Sequence, residues 1–340
     1  MKEIAVVILN WNGRDFLEKF LPGVVRHSIE ARVIVADNGS TDTSLEYIEK
    51  HFSSSEIEVI SLERNYGFAE GYNRALDIVN TRYSDTIKYY LLLNSDVEVT
   101  EGWLTPILSL FKEEENTAAI QPKILSQILR ERFEYAGASG GFIDSLGFPF
   151  CRGRIMSHSE QDNGQYDNIR PIFWATGAAL AIRSEVWHRL GGLDPIFFAH
   201  MEEIDLCWRV KRLGYTIKVV PESVVYHVGG GTLPPSSPRK TYLNFRNNIA
   251  MLYKNLPLGK FIAVYFVRYF TDSLQSIAYL LTGKFSFFSA VIKGHCHFWR
   301  DRRRYTIDKT IPKHKVGEIY RGSIILRYIF CSKRFGGMKL

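Results

Sequence analysis

Short apolar runs and segments of helical periodicity alternate along the first 125 residues of the chain. The run from Lys88 to Val99, KYYLLLNSDVEV, is the clearest, because its unbroken apolar stretch predicts a strand buried on both faces. The predicted strands are Ile4–Leu9, Val33–Ala36, Ile57–Leu62, Tyr89–Leu93 and Ala118–Ile124, and the predicted helices are Asp15–Val25, Thr43–Phe52, Gly67–Val79 and Gly102–Phe111. Thr43 and Glu46 have the spacing of a capping box. The alternation predicts an α/β fold with a mostly parallel central sheet and helices on both faces.

The pattern changes after residue 125. Glycines, aromatic residues and short alternating segments predict a hairpin or loop insertion over Phe133–Arg154. The remaining predicted elements are a strand over Phe173–Ile182, helices over Ser184–Leu190 and Glu202–Leu213, and a final pair of strands over Ile217–Val220 and Val224–Tyr226. The stretch from Gly229 to Pro238, GGGTLPPSSP, predicts a mobile loop or a boundary.

The C-terminal part of the chain is aromatic and basic. Phe261–Leu281 is apolar over about a membrane-spanning length, but a spanning helix would place Arg268 and Asp272 in hydrocarbon at considerable cost. We therefore predict a C-terminal extension of amphipathic helices at a membrane surface, with the cluster Trp299–Arg304 on lipid headgroups. The alternative is a helical extension packed on the preceding domain. The predicted division is a domain over residues 1–250 and the extension over 251–340.

Charge is distributed unevenly between these two parts. Residues 1–250 contain 26 Lys and Arg against 32 Asp and Glu, whereas residues 251–340 contain 17 against 4. This asymmetry predicts an anionic partner for the extension, which lipid headgroups or nucleic acid would both supply. The 46% hydrophobic content supports a sizeable core. Scattered cysteines without a CxxC pair, and an N-terminus that enters directly into a strand pattern, predict a cytoplasmic protein without a signal peptide.

Polar side chains follow four predicted strands at the point where each strand ends. They are Asn10, Asp37, Asn65 and the trio Asn94-Ser95-Asp96. Because the carboxyl ends of parallel strands share one edge, these side chains would line a crevice suited to a base and a ribose. Asp96 suits a divalent cation with phosphate ligands. Each cluster taken singly is also an ordinary turn, and the chain lacks the glycine-rich motifs of dinucleotide-binding and P-loop proteins.

Two later clusters also carry reactive groups. The segment His200–Arg209, HMEEIDLCWR, places Glu202, Glu203 and Asp205 in the first turn of a predicted helix. Crowding raises the proton affinity of at least one carboxylate, which suits a general base, but acidic residues there also simply favour the helix dipole. His227, at a strand end, is a candidate metal ligand, although a lone histidine is more often structural.

Together these segments resemble the family 2 inverting glycosyltransferases with a GT-A type fold, most closely the rhamnosyltransferase and galactofuranosyltransferase branch. The resemblance covers about residues 1–250 and is carried by VVILNWNG, VADNGSTD, ERNYGFAEGYNRA, LLLNSDVEV, FWATGAALAIRSEVW, GGLDPIFFAHMEEIDLCWR and YHVGGGT. It implies inverting transfer of rhamnose or a related hexose from a nucleotide-diphosphate donor to a hydroxyl of a glycan or polyprenyl-linked glycan, in cell-surface polysaccharide synthesis. It also implies a divalent metal, Mn²⁺ or Mg²⁺.

The resemblance also implies roles for individual residues. Asp96 and His227 would bind the metal, and Glu203 would be the catalytic base with Asp205 as its fallback. The implied nucleotide-binding residues are Asn10, Asp37, Asn65, Asn73, Asn94 and Ser95, and the implied sugar or acceptor pocket is Trp174, Gly177 and Glu202. Trp174 is equally well explained as a core residue. Two positions depart from the family, since Asn94 and Glu203 both stand where it has Asp.

We therefore expect a transferase that associates peripherally with the inner face of the cell membrane through its basic, aromatic extension. The first alternative is a non-catalytic sugar-nucleotide or glycan-binding module of the same fold, which the two departures leave open. The second is a nucleic-acid-binding protein that uses the basic extension. We expect no nucleic acid partner.

Overall fold

A mixed sheet of nine strands lies at the centre of a computed structural model of the chain, which describes residues 2–229, 237–305 and 314–338. In chain order the strands are β1 (Ile4–Asn10), β2 (Ala31–Asp37), β3 (Glu58–Ser61), β4 (Tyr89–Asn94), β5 (Val97–Val99), β6 (Thr117–Ser126), β7 (Gly141–Asp144), β8 (Pro149–Cys151), β9 (Arg154–Ile155), β10 (His158–Ser159), β11 (Arg170–Pro171), β12 (Ala179–Arg183), β13 (Thr216–His227) and β14 (Ile319–Tyr320). The central sheet has the order β11-β13-β6-β12-β4-β1-β2-β3, and β5 pairs with β13. Strands β1 to β4 are mutually parallel where they pair, whereas β12 is antiparallel to both neighbours.

Helices cover both faces of this sheet, as predicted. They are α1 (Arg14–His27), α2 (Ser44–His51), α3 (Gly67–Tyr83), α4 (Leu104–Glu113), α5 (Ser184–Arg189), α6 (Glu202–Arg212), α7 (Pro238–Asn255), α8 (Leu258–Leu281), α9 (Phe285–Asp301) and α10 (Ile324–Phe330). Leu17 of α1 and Leu104 of α4 belong to the core on one face, and Tyr72 of α3 to the core on the other. Because neighbouring residues of a strand face opposite sides, β1 contributes Val6 to the first core and Val7 to the second.

The carboxyl ends of three strands meet at one edge of the sheet. Strand β1 pairs with both β2 and β4, and the register places Asn10 opposite Asp37 and Leu9 opposite Asn94. The end of β13 extends this edge, because His227 lies opposite the first residue of β5. The shared edge that the sequence predicts is therefore present.

Two strand boundaries differ from the prediction. The predicted final pair of strands is one strand, β13, which continues across an irregularity in its pairing with β6 between Val220 and Val224. That interval contains a proline, which cannot donate to the ladder. The strand predicted over Phe173–Ile182 begins only at Ala179, whose N–H donates to the carbonyl of Thr176 and closes a turn.

The capping box predicted at the start of α2 does not form. Thr43 precedes the helix but its side chain makes no capping hydrogen bond. Instead the carboxylate of Asp42 accepts from the N–H of Ser44 at 3.1 Å. The Asp side chain therefore takes the role that the pattern assigned to Thr43.

A smaller sheet confirms the predicted hairpin. Within the described ranges it has five strands in the order β10-β9-β8-β7-β14, and β7 and β8 form the antiparallel hairpin. Gly141 of β7 packs directly on Trp174, since a Cβ at this glycine would lie 2.1 Å from the indole ring. The indole N–H donates to the carbonyl of Phe142 at 2.9 Å. This contact ties the hairpin to the segment that leads into β12.

The C-terminal helices pack on the same core as the central sheet. Helix α7 crosses the predicted boundary at residue 250, and Phe261 and Phe298 of the extension are buried in the main core. The extension therefore packs against the preceding domain. Of the predicted loop from Gly229 to Pro238, residues 230–236 lie outside the described ranges, and α7 begins at Pro238.

Helix α8 is one amphipathic helix across the predicted interval. Its two interrupting charges, Arg268 and Asp272, are buried and paired with each other, and His295 of α9 lies 3.2 Å from the Asp272 carboxylate. Among the helices in the part of the chain that the structure describes, none combines the length and apolarity needed to cross a membrane.

Candidate active site

A cavity of about 810 Å³ opens beside the carboxyl edge of the central sheet. The central sheet, the small sheet, the start of α6, one face of α7 and Arg268 of α8 contribute its walls. The predicted site residues that line it are Asn94, Asp96, Trp174, Gly177, Glu202, Glu203 and His227. Residues from distant parts of the sequence therefore converge on one space.

Asp96 and His227 are in direct contact in this cavity. The Nε2 atom of His227 lies 3.1 Å from Oδ1 of Asp96, and both side chains are buried. The pairing of β5 with β13 creates this contact, and the N–H of Val228 also donates to the Asp96 carbonyl. Burial alone would lower the pKa of His227, but the interactions with Asp96 and Glu134 outweigh it and raise that pKa to about 10.

Glu134 is a site residue that the sequence analysis missed. Its Oε2 atom lies 3.4 Å from Nδ1 of His227, on the opposite side of the ring from Asp96. It also accepts a hydrogen bond from the N–H of Ala136. Gly229 leaves room for this carboxylate, because a Cβ there would lie 2.6 Å from Oε1. No motif surrounds Glu134, so only the fold reveals its position.

Glu202 and Glu203 stand at the start of α6. One carboxylate oxygen of each is buried without a hydrogen-bond partner among the described residues. Burial, followed by the charge of Glu203, raises the pKa of Glu202 well above its usual value. Burial also raises the pKa of Glu203 to about 7, although neighbouring backbone N–H groups oppose this. A carboxylate with a pKa near neutrality suits a general base.

Helix α7 holds the segment that leads into α6. The side-chain amide of Asn247 donates to the carbonyls of Phe197, Ala199 and His200 at 2.8–2.9 Å. His200 and Met201 have positive φ angles of 70° and 76°, an uncommon conformation for residues other than glycine. Helix α7 therefore fixes the backbone that aims Glu203 into the cavity.

Asp205 lies outside the cavity, which removes it as the fallback base. It is fully buried and pairs with Arg209 and Lys254, each at 2.9 Å, and it accepts from Asn255 at 2.8 Å. Burial would raise its pKa, but the charges of Lys254 and Arg209 keep that pKa below its usual value. The role of Asp205 is to join α6 to α7.

The strand ends that the sequence predicts to bind a nucleotide form a hydrogen-bonded group. The amide of Asn10 donates to Asp37 at 3.1 Å, and Asp37 accepts from the N–H of Ser40 at 3.0 Å. Oδ1 of Asn10 is buried without a partner among the described residues. On the next strand end, Asn65 accepts from Asn38 and from the N–H of Gly67.

Other predicted binding residues have structural contacts. Both ends of the Asn73 amide are bonded to the backbone of Leu193, at 2.7 and 3.0 Å, so Asn73 secures a loop. Trp174 is 5% exposed and bonded to the hairpin, so it is both a core residue and part of the cavity wall. Ser95 lies at the sheet edge beside Gly13, whose added Cβ would lie 3.4 Å from its hydroxyl.

The contact between Asp96 and His227 suits a divalent cation. One carboxylate and one imidazole are ligands that Mn²⁺ accepts, and neighbouring ligand atoms about 2.1 Å from an octahedral ion are about 3 Å apart. The described residues contain no group of three or more His, Cys, Asp or Glu arranged to hold a metal. A metal here would therefore complete its coordination with oxygens from water or a bound ligand.

Comparisons with known proteins agree with this fold. Residues 5–167 match the family model for glycosyl transferase family 2. The chain is 24% identical over 234 residues to N-acetylglucosaminyl-diphospho-decaprenol L-rhamnosyltransferase of Mycobacterium tuberculosis, covering 66% of this chain and 75% of that protein. It is 22% identical over 225 residues to the rhamnosyltransferase WbbL of Escherichia coli, covering 66% and 83%.

A solved structure shows the same fold. GalNAc-T7 with UDP, GalNAc and Mn²⁺ superposes with a TM-score of 0.56 at 16% identity, and the match covers 75% of this chain and 48% of that one. The fold class predicted from the sequence is thus confirmed. The comparisons therefore support assignment to glycosyl transferase family 2, with similarity to rhamnosyltransferases.

Proposed function

We propose that the protein is a metal-dependent, inverting glycosyltransferase that uses a nucleotide-diphosphate sugar. The observation that supports this is the convergence of Asp96, His227 and Glu203 on one cavity at the carboxyl edge of the sheet. A non-catalytic module would have no need for an unpartnered carboxylate with a pKa near 7 facing that cavity.

The residues divide the chemistry between them. Asp96 and His227 would hold Mn²⁺ or Mg²⁺, which offsets the charge that develops on a departing nucleoside diphosphate. Asn10 and Asp37 would bind the base and ribose at the neighbouring strand ends. Glu203 accepts the proton of the acceptor hydroxyl. The hydroxyl oxygen then attacks the anomeric carbon opposite the departing nucleoside diphosphate, and the configuration at that carbon is inverted.

The proposed donor carries rhamnose or a related hexose, and the proposed acceptor is a glycan on a polyprenyl or other lipid diphosphate. The names of the two rhamnosyltransferases support this choice of sugar, and the name of the M. tuberculosis protein supports a lipid-linked acceptor. In this chain the cavity reaches α8 and α10 through Arg268 and Tyr328. The acceptor would therefore approach along the C-terminal helices.

These helices present an apolar surface that supports peripheral attachment to the inner face of the cell membrane. The α8 stripe, as we name it, consists of the exposed residues Leu258, Ile262, Phe266, Phe270, Leu274, Ile277 and Leu281. Their spacing of three or four residues places them along one side of the helix, while the other side is packed through Phe261 and Val264. Such a stripe suits the lipid interface better than it suits nucleic acid.

A thermal-shift panel tests the donor part of this proposal. The full chain would be melted with UDP-, dTDP- and GDP-sugars, each with Mn²⁺ or with EDTA, since stabilisation by a ligand increases with the logarithm of its concentration relative to Kd. We expect one nucleotide series to raise the melting temperature only with Mn²⁺. Binding without Mn²⁺-dependent release of nucleoside diphosphate, in the presence of lipid-linked acceptors, would favour the non-catalytic module instead.

A further inference from the structure

Two cations that line the cavity have no anionic partner in the described structure. Arg154 of β9 and Lys240 of α7 are both half-buried. Neither side chain has a hydrogen bond or an ion pair among the residues that the structure describes; both contact the ring of Tyr135 instead. The guanidinium of Arg154 lies 3.6 Å and the ammonium of Lys240 lies 5.2 Å from the ring centroid.

This arrangement differs from that of two other buried cations, which have carboxylate partners. Arg268, in the same cavity, is paired with Asp272 and hydrogen-bonded to Asn248. Lys254, on the same helix as Lys240, is paired with two carboxylates. A charge withdrawn from water is costly unless it is paired or hydrogen-bonded. Among the described residues, buried Arg152 has no carboxylate partner but is hydrogen-bonded to neutral groups, whereas Arg154 and Lys240 have neither kind of partner.

The nearest acidic group already has other partners. Glu134 is adjacent to Tyr135 in the chain, and its negative charge favours the charged forms of both Arg154 and Lys240. Its carboxylate, however, faces His227 and the N–H of Ala136. Burial lowers the pKa values of Arg154 and Lys240, and Glu134 only partly opposes this.

We propose that Arg154 and Lys240 form a binding site for a diphosphate group. An arginine fork matches two phosphate oxygens, and a lysine supplies a compact charge for a third. Tyr135 holds both side chains against the cavity wall by cation–π contact. The site lies in the same cavity as the Asp96–His227 pair, so a diphosphate has cationic partners in addition to a metal.

This inference rests on the proposed function, which brings two diphosphates to the cavity. One is the diphosphate of the nucleotide donor, and the other is the diphosphate of a lipid-linked acceptor. Both offer the same chemistry to Arg154 and Lys240. The site therefore takes a diphosphate ester, and the experiment distinguishes its source.

The test measures Kd by calorimetry for the full chain with three probes. They are inorganic pyrophosphate, the nucleoside diphosphates UDP, dTDP and GDP, and farnesyl diphosphate, each with and without Mn²⁺. The variants are Arg154→Met, Lys240→Met and the double variant, which keep the apolar stems on Tyr135. Lys19→Met is the matched control, because Lys19 lies 5.0 Å from the ring of Phe20 but does not line the cavity.

We expect each cavity variant to weaken binding about tenfold and the double variant more, because a charge-assisted hydrogen bond contributes roughly that factor. If the variants lose affinity only for nucleoside diphosphates, the site binds the donor. If they lose affinity only for farnesyl diphosphate, the site binds the acceptor. Conservative exchange, Arg154→Lys with Lys240→Arg, should retain most affinity. Circular dichroism spectra confirm that each variant is folded.

Two results separate the failure of this inference from failure of the proposed function. If the double variant binds every probe within twofold of the unmodified protein, the diphosphate site is refuted while the transferase proposal stands. If pyrophosphate binding depends on Arg154 and Lys240 but no nucleoside diphosphate binds the unmodified protein, the anion site stands and the proposed donor is refuted. Absence of binding for all probes refutes both.

Discussion

The imidazole of His227 lies 3.1 Å from the carboxylate of Asp96, although 131 residues separate them in the chain. Two backbone pairings create this contact, because β13 runs beside β5 and the Val228 N–H donates to the Asp96 carbonyl. The contact therefore depends on the sheet and not on flexible side chains. It is the feature on which the metal part of the proposal depends.

Loss of His227 should weaken metal binding directly. We expect His227→Asn to lower Mn²⁺ affinity at least tenfold, since only two protein ligands are proposed, and the effect is measured by electron paramagnetic resonance of free Mn²⁺. His188→Asn is the control, because His188 bonds to Tyr90 outside the cavity. Equal affinity in both variants would show that His227 is not a ligand.

Glu134 should act on the same metal indirectly, as a positioning residue for the His227 ring. A carboxylate on the far nitrogen orients a ligating imidazole, and its removal typically costs tenfold or more in metal affinity. We therefore expect Glu134→Gln to weaken Mn²⁺ binding about tenfold, whereas the exposed nearby variant Glu131→Gln should not. An unchanged Mn²⁺ affinity in Glu134→Gln would contradict the orienting role.

The pKa of Glu203 predicts the pH dependence of the reaction. A base must be deprotonated, and since the pKa of Glu203 is raised to about 7, kcat/KM should rise with pH and level off above about 7. Glu203→Gln should lower kcat by at least about 100-fold, and the rise of kcat/KM with pH should disappear. If the residual activity of Glu203→Gln still rises with pH in the same way, another group is responsible for that pH dependence.

The same pKa shift should make the folded protein less stable as pH rises, whereas the activity rises over that range. Because Glu203 binds its proton more tightly in the folded state, its neutral form favours folding below about pH 4.5, and that contribution is lost as pH rises towards 7. Glu203→Gln should therefore be more stable than the unmodified protein at pH 8, as measured by urea unfolding. If the variant is less stable than the unmodified protein at pH 8, the ionised Glu203 carboxylate has stabilising partners in the folded protein.

The elements that the sequence predicts best are those whose patterns are local. The buried strand at Tyr89–Leu93 and the shared edge of Asn10, Asp37 and Asn94 follow from periodicity and from the geometry of parallel sheets. Asp205 could not be assigned in this way, because its partner Lys254 lies on another helix. Glu134 was missed for the same reason, since its role depends on a contact with a distant strand.

The predicted division of the chain at residue 250 falls within helix α7. Charge and composition change there, but helix α7 continues through the boundary. The composition of a segment indicates how charged its exposed surface is. It does not show which of its side chains pack against the rest of the protein. Phe261 and Phe298 lie on that buried face, and they join the extension to the main core.

The buried pair of Arg268 and Asp272 should be important for stability. Asp272→Asn leaves Arg268 buried without its carboxylate, and breaking such a pair typically costs about 3–5 kcal/mol. We expect a loss of this size in the free energy of unfolding. Asp301→Asn is the control, because Asp301 pairs with the exposed Arg300 and should change stability little. Similar losses in the two variants would contradict the importance of burial.

The α8 stripe should govern membrane attachment. Phe266 and Phe270 are 76% and 63% exposed, and replacing both with serine removes apolar area that would otherwise enter the lipid interface. We expect the double variant to lose most of its co-sedimentation with vesicles of phosphatidylglycerol and phosphatidylethanolamine. The unmodified protein should sediment with them at moderate salt.

A matched control separates this effect from a general loss of surface hydrophobicity. Ile128 and Leu129 are neighbouring apolar residues outside the extension, 73% and 59% exposed, and replacing both with serine should leave vesicle binding unchanged. If the two double variants bind equally well, the α8 stripe does not face lipid. If the unmodified protein instead binds DNA or RNA with a steep salt dependence and ignores vesicles, the basic extension serves nucleic acid. The stripe and the charge would then need separate explanations, because phosphate backbones do not bind apolar side chains.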